Sequence, residues 1–136
     1  MERPTHFIVI DDDQINNMLC KYSIRQVNNE LETNTFLEPE KGFEYILSNY
    51  SKLDKSIPTV LLLDINMPTW SGWDFLDKFE KLDTQIKNQI KVYMLSSSVD
   101  PKDMEKAKAN PNVVDYIVKP LNRDIVAKII ESEPKP

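Results

Sequence analysis

Two kinds of apolar pattern alternate along the chain. Short unbroken runs, each ending in a polar residue, are separated by longer stretches in which apolar residues recur every three to four positions. Val60 to Leu63 is the clearest run. Four aliphatic residues with no polar alternation fit a strand buried on both faces, as at the centre of a parallel sheet. The run stops at Asp64, and Met67-Pro68 leads into a loop that Gly72 helps to close before a helical pattern begins with Trp73, Phe75, Leu76, Phe79 and Leu82. His6 to Ile10 is a second run and stops at Asp11-Asp12-Asp13, after which Ile15, Met18, Leu19 and Tyr22 fall on one face of a helix that Asp13 caps. Glu32 to Leu37 predicts a weaker strand, and Phe43, Ile46, Leu47 and Tyr50 a helix, with a polar link from Ser51 to Pro58.

The second half repeats the scheme. A link containing Lys and Gln residues follows the third helix and leads to the strand Ile90 to Leu95, which ends in Ser96-Ser97-Ser98. Asp100-Pro101 is an N-cap followed by proline at the first helical position, opening a mostly charged helix through Ala109 in which Met104 and Ala107 are the main candidates for burial. Val113 to Val118 is the fifth strand, followed by Lys119-Pro120. Ile125, Val126, Ile129 and Ile130 form the inner face of the last helix, and residues 132 to 136 read as a disordered tail. Five strands alternating with five helices predict a doubly wound α/β sheet with helices on both faces and right-handed crossovers.

The 136 residues suffice for one domain, with a core over about residues 6 to 131. A net charge of -5 offers no basic footprint for nucleic acid, and no apolar run is long enough to cross a membrane. The expectation is a soluble, cytoplasmic, monomeric protein. Cys20 is the only cysteine, so no disulfide framework exists within the chain, and it reads as a structural thiol. His6 has neither cysteine nor a second histidine to share a metal.

Parallel strands bring their C-terminal ends to one edge, where open α/β sheets bind ligands. Asp11, Asp12, Asp64, Ser96 and Lys119 therefore converge there. Two carboxylates about 4 Å apart repel by roughly 4 kcal/mol at an effective dielectric of 20, so three need a cation to stay ionised together. Ligands that are all oxygen favour Mg²⁺ or Mn²⁺ over zinc, with open positions for phosphoryl oxygens. Lys119 and the Ser96 hydroxyl would neutralise oxygens that the metal leaves uncovered, and Asp64 would be the nucleophile that becomes an acyl phosphate.

Over about Phe7 to Ile130 this series resembles the receiver domain of two-component response regulators: Asp-Asp after strand one, Asp64 in LLLDINMP, a hydroxyl residue after strand four, and Lys-Pro after strand five. The resemblance implies a flavodoxin-like receiver fold with strand order 2-1-3-4-5. It makes Asp64 the phosphoacceptor and places Asp11, Asp12, Asp64 and the backbone carbonyl of Asn66 at the metal. Ser96 becomes the switch hydroxyl, Tyr116 the switch aromatic, and Lys119 the phosphate-binding lysine, with a cis peptide at Lys119-Pro120. The implied partners are a sensor histidine kinase or phosphotransfer protein and a separate effector, with partner binding, by a kinase or by the effector, expected on the face made by the helix from Asp100, strand five and the last helix. The only chemistry implied is self-catalysed phosphoryl transfer and slow autodephosphorylation. Ser96 stands where threonine is more frequent, and Trp70 where a smaller aliphatic residue is usual. The rival readings are a pseudoreceiver that binds without phosphorylation and a haloacid-dehalogenase-like phosphatase. The latter is disfavoured because Gln14-Ile15-Asn16 does not continue its first motif and its late acidic motif is missing after Lys119.

Overall fold

Thr59 to Leu63 forms a strand with every residue buried, as the unbroken aliphatic run requires, and the rest of the chain is laid out around it. The computed structural model describes residues 3–52 and 55–132. In chain order the elements are β1 (His6–Ile10), α1 (Gln14–Val27), β2 (Glu32–Phe36), α2 (Pro39–Tyr50), β3 (Thr59–Leu63), α3 (Gly72–Glu80), α4 (Thr84–Lys87), β4 (Ile90–Ser96), α5 (Pro101–Ala109), β5 (Val113–Val118) and α6 (Arg123–Glu131). The five strands are parallel in the order β2-β1-β3-β4-β5, the order that the resemblance implied. Residues 133 to 136 of the expected tail lie outside the described residues.

Alternation along the strands sends side chains into two separate cores. Ile8, Ile10, Leu61, Leu63, Val92 and Met94 pack with Ile46, Tyr50, Phe75, Leu76 and Phe79 beneath α2 and α3. Phe7, Val9, Val60, Leu62, Tyr93 and Leu95 pack with Cys20, Ile24, Val126 and Ile129 beneath α1 and α6. The helix starts follow local chemistry. Asp13 caps α1 by accepting from the backbone of Ile15 and Asn16, and Ser71 and Asp74 close a reciprocal capping box on α3. Asp100 caps α5 ahead of Pro101, and Asn122 caps α6.

One expectation is corrected. Among the described residues there are six helices rather than five, because the link after α3 contains the single turn α4, which buries Ile86. One apolar residue in four has no period to read. The apolar face of α1 points outward: Ile15, Met18, Leu19 and Tyr22 are 50 to 69% exposed, and the helix buries Asn16, Asn17, Cys20, Ser23 and Ile24. The inner face is polar because the strand ends beneath it present acceptors. Asn17 donates to the carbonyls of Asp11 and Phe36, and Ser23 donates to the carbonyl of Leu121. Leu47 of α2 is likewise exposed, and Gly42 occupies the inward position.

Gly72 is the glycine on which the site depends. Its N–H donates to the Ile65 carbonyl at 2.7 Å, and a Cβ there would lie 2.4 Å from the carbonyl oxygen of Asp64 and 3.1 Å from the Ile65 Cα. Those neighbours are backbone and cannot turn aside. Gly72→Ala is therefore expected to cost about 1–3 kcal/mol of unfolding free energy, measured by urea denaturation, through displacement of the loop that carries Asp64. A variant as stable as the wild type would show that the loop gives way freely.

Candidate functional site

The C-terminal ends of β1, β3 and β5 carry Asp11, Asp64 and Lys119 to one edge of the sheet, and the loop after β1 adds Asp12. One oxygen from each of the three carboxylates lies within 4.8 Å of the others. The site is fixed by backbone first: the Asp64 N–H donates to the Ile10 carbonyl, and the Lys119 N–H to the Ser96 carbonyl at 2.9 Å. The Lys119-Pro120 peptide is cis, as expected.

The three acids differ in their partners. Asp11 is fully buried and has both oxygens engaged: Oδ1 accepts the Asp13 N–H at 2.9 Å, while Oδ2 accepts from Asn16 Nδ2 at 2.7 Å and lies 2.7 Å from Lys119 Nζ. Asp64 is buried, and its Oδ1 accepts the Ile65 N–H at 2.9 Å, with Lys119 Nζ at 3.6 Å. Asp12 is exposed. Among the described residues no hydrogen bond reaches the Asp12 carboxylate or Asp64 Oδ2, so the free oxygens of the cluster belong to these two acids.

Lys119 stands closer to Asp11 than to Asp64, and the electrostatics follow. Burial, then the charge of Asp11, pushes the Asp64 carboxyl up to about 6, and Lys119 only partly opposes them. Burial alone would lower the lysine, but its hydrogen bond to Asp11 and the charges of both acids outweigh that, and its ammonium is held above the ordinary range. Three carboxylates facing one ammonium leave an excess of negative charge. A set of oxygen donors with free positions at Asp12 and Asp64 fits a hard divalent cation such as Mg²⁺ or Mn²⁺.

The remaining sequence candidates sit around this centre. Ser96 is fully buried at the end of β4, and its Oγ accepts the Ser98 N–H at 3.1 Å. The Tyr116 hydroxyl donates to the Ser98 carbonyl at 2.8 Å, which ties β5 to the loop that carries the hydroxyl. Asn66 is exposed two residues past Asp64. Trp70 packs edge-on to Phe43 with centroids 5.9 Å apart, lies beneath Lys78, and adjoins Thr69, which donates to Glu40 of α2 at 2.7 Å. His6 pairs with Glu32 at 2.7 Å, away from the acidic edge. Cys20 is buried, and its thiol is pushed up to about 12 chiefly by that burial, which matches a structural role. Sequence reading missed Asn16, which touches Asp11 directly. The signal lay in its spacing, because a residue in the first turn of a capped helix sits above the strand end from which the helix departs.

Comparison with known proteins yields a single theme. The family model for the response regulator receiver domain matches residues 7–131. A two-component response regulator from Cytophaga hutchinsonii has a similar structure, with a TM-score of 0.82 at 29% identity over 95% of each chain. A response regulator receiver protein from Dyadobacter fermentans has a TM-score of 0.78 at 25% identity, covering 93% of this chain and 98% of that one. An uncharacterized response regulatory protein of Staphylococcus epidermidis is 32% identical over 74 residues, which are 54% of this chain and 27% of that protein's length.

Proposed function

Because the chain belongs to the response regulator receiver domain family, we propose that it is a phosphoacceptor of a two-component phosphorelay, with Asp64 as the residue phosphorylated. The observation that carries this reading is the convergence of Asp11, Asp12, Asp64 and Lys119 on one edge, with Asp64 Oδ2 free to act. That oxygen would attack the phosphorus of a phosphohistidine or acetyl phosphate. The new O–P bond makes the acyl phosphate as the old bond to phosphorus breaks, and the electron pair leaves with imidazole or acetate. Asp12, Asp64 and the Asn66 carbonyl would hold Mg²⁺ with Asp11 behind them, and the ion when bound offsets charge on the phosphoryl oxygens. Lys119 takes another of those oxygens as a point cation, and the Ser96 hydroxyl donates to the third.

In this reading residues 1–136 act as one receiver unit in the cytoplasm. Its chemistry is confined to gain and slow loss of the phosphoryl group on Asp64. Output passes through Ser96 and Tyr116 to the face made by α5, β5 and α6. Ala107 is the only buried residue of α5, and a cleft of about 450 Å³ opens between it and β5, bounded by Met104, Ala107, Val113 and Tyr116. A helix so thinly anchored is the element easiest to shift. A separate effector would read that shift.

The outward face of α1 supports a helical protein donor, either a sensor histidine kinase or a phosphotransfer protein. Ile15, Met18, Leu19 and Tyr22 form an exposed apolar stripe that begins beside the acidic edge. A protein that brings a phosphohistidine to Asp64 must lie over that edge, and the stripe is an apolar surface adjoining it.

The test is intact-mass analysis after incubation with acetyl phosphate and Mg²⁺. An adduct of one phosphoryl group is expected in the wild type and is lost in Asp64→Asn and Asp12→Ala. Met18→Glu keeps it but slows transfer from a histidine-phosphorylated helical-bundle donor by tenfold or more, a change of about 1.4 kcal/mol. An adduct that persists in Asp64→Asn defeats the phosphoacceptor assignment. An absent adduct in every variant favours the pseudoreceiver.

A further inference from the structure

Asp11 Oδ2 has two donors at the same distance, Asn16 Nδ2 and Lys119 Nζ, both at 2.7 Å. Two donors on one oxygen of a buried carboxylate is more than an ion pair needs, and the two are anchored differently. Lys119 has a flexible stem and a second carboxylate, Asp64 Oδ1, at 3.6 Å. Asn16 is buried in the first turn of α1, where the Asp13 side chain accepts its backbone N–H, and its amide has Cys20 Sγ as its other neighbour at 3.6 Å. One donor can move and the other cannot.

Resting on the phosphoacceptor reading above, we infer that Asn16 is a positioning residue which releases Lys119 from Asp11, so that the lysine can turn to a phosphoryl group on Asp64. In the present arrangement the ammonium sits on Asp11. Once Asp64 carries the phosphoryl group, the same ammonium must face the new oxygens. If it were the only donor to Asp11 Oδ2, its departure would strand a charged oxygen that is buried, and the cost of doing so would hold it in place. Asn16 stays on that oxygen in both states, so Asp11 keeps a partner when the lysine leaves. The Asp13 N–H does the same for Oδ1. Asn16 touches neither phosphoryl group nor donor in this account and acts only through Asp11 and Lys119.

This role has a signature that simple loosening of α1 lacks. Binding of Mg²⁺ at Asp12 and Asp64 leaves Lys119 on Asp11, whereas binding of the phosphoryl mimic beryllofluoride draws the lysine away. In Asn16→Ser, whose shorter side chain loses the amide donor but suits the first turn of a helix, Mg²⁺ affinity should stay within about twofold of wild type. Beryllofluoride affinity at saturating Mg²⁺ should fall about tenfold, the factor expected when a buried acceptor loses its partner. Asn16→Gln, which keeps an amide donor, should recover part of the loss. With Lys119→Met there is no lysine to release, and adding Asn16→Ser should then weaken beryllofluoride no further. Both affinities can be followed by tryptophan fluorescence or titration calorimetry on the full chain. Equal weakening of Mg²⁺ and beryllofluoride in Asn16→Ser, wild-type affinity for both, or an unchanged tenfold loss in the Lys119→Met background would each overturn the inference while the phosphoacceptor reading stands. A wild type that binds neither probe overturns that reading, and this inference with it.

Discussion

Asp64→Asn is expected to raise the thermal unfolding midpoint by about 3 to 10 °C at pH 7 in the absence of divalent metal and to leave it nearly unchanged at pH 4. The cause is the ionisation of Asp64. Its carboxyl rises from 3.8 to about 6, because burial and the neighbouring charge of Asp11 oppose the carboxylate form. An acid whose folded pKa is raised binds its proton more tightly folded than unfolded. Stability is then fully present below about pH 4, is lost progressively as the pH climbs toward 6, and stays lost above it. At about 1.4 kcal/mol per pH unit the full loss approaches 3 kcal/mol, and relaxation of the site and of Lys119 brings the working figure to about 1–3 kcal/mol. Each kcal/mol corresponds to roughly 3–4 °C for a chain of this size. Asparagine has nothing to ionise, yet its side-chain oxygen still accepts the Ile65 N–H at the position where Asp64 Oδ1 does so at 2.9 Å. The variant thus escapes the loss and keeps the contact. Mg²⁺, bound by the folded state alone, should stabilise the wild type more than the variant and narrow the gap. Differential scanning calorimetry across pH 4 to 8 checks this. A constant difference at all pH values, or none at pH 7, would mean that the Asp64 carboxylate is not strained by its surroundings.

The parts of this protein legible in its sequence are those whose physics is local. Val60 to Leu63 could be placed at the sheet centre because only a strand covered on both faces tolerates four aliphatic residues in succession, and all four are buried. Asp11, Asp64 and Lys119 could be brought together because they end parallel strands. The helix caps at Asp13 and Asp100 follow the same local logic. What was not legible depends on contacts between elements. The apolar spacing of Ile15, Met18, Leu19 and Tyr22 marks a face of α1 but says nothing of which way it turns. The direction is decided by acceptors at the ends of β1 and β2, which pull Asn16 and Asn17 inward. An apolar face left outside is the ordinary mark of a surface that meets another protein, so the outward turn of α1 and the proposal that a donor docks there have one cause. Asn16 escaped notice for the same reason: its place in the first turn of α1 sets it above the strand end, but its role shows only once a buried carboxylate is placed beneath it.

Lys119→Met should act in the opposite direction to Asp64→Asn, lowering stability at pH 7 without metal by about 3 kcal/mol. Removing one member of a buried ion pair typically costs roughly 3–5 kcal/mol, because the partner charge stays behind. The lower end applies here, since the lysine side chain is 18% exposed and water reaches part of it. Methionine keeps most of the apolar stem and loses the ammonium, so the packing contribution changes little. Asp11 is left with the Asp13 N–H and Asn16 as partners, and Asp64 with the Ile65 N–H alone. Two buried acids then face each other without a cation. Without the lysine to oppose its rise, the Asp64 carboxyl moves further above 6. The defect should therefore shrink as the pH falls and Asp64 takes up a proton. It should also shrink with millimolar Mg²⁺, whose charge substitutes for the ammonium. Adding Asp64→Asn to Lys119→Met removes one of the two acids and should restore more stability than Asp64→Asn adds to the wild type, so the double variant exceeds the sum of the single effects. Urea denaturation of the four proteins at pH 7 and pH 4.5, with and without Mg²⁺, provides the measurement. A Lys119→Met protein as stable as the wild type at pH 7 in the absence of metal would show that the ammonium does not hold the two acids together. A defect of the same size at both pH values would assign its role to packing.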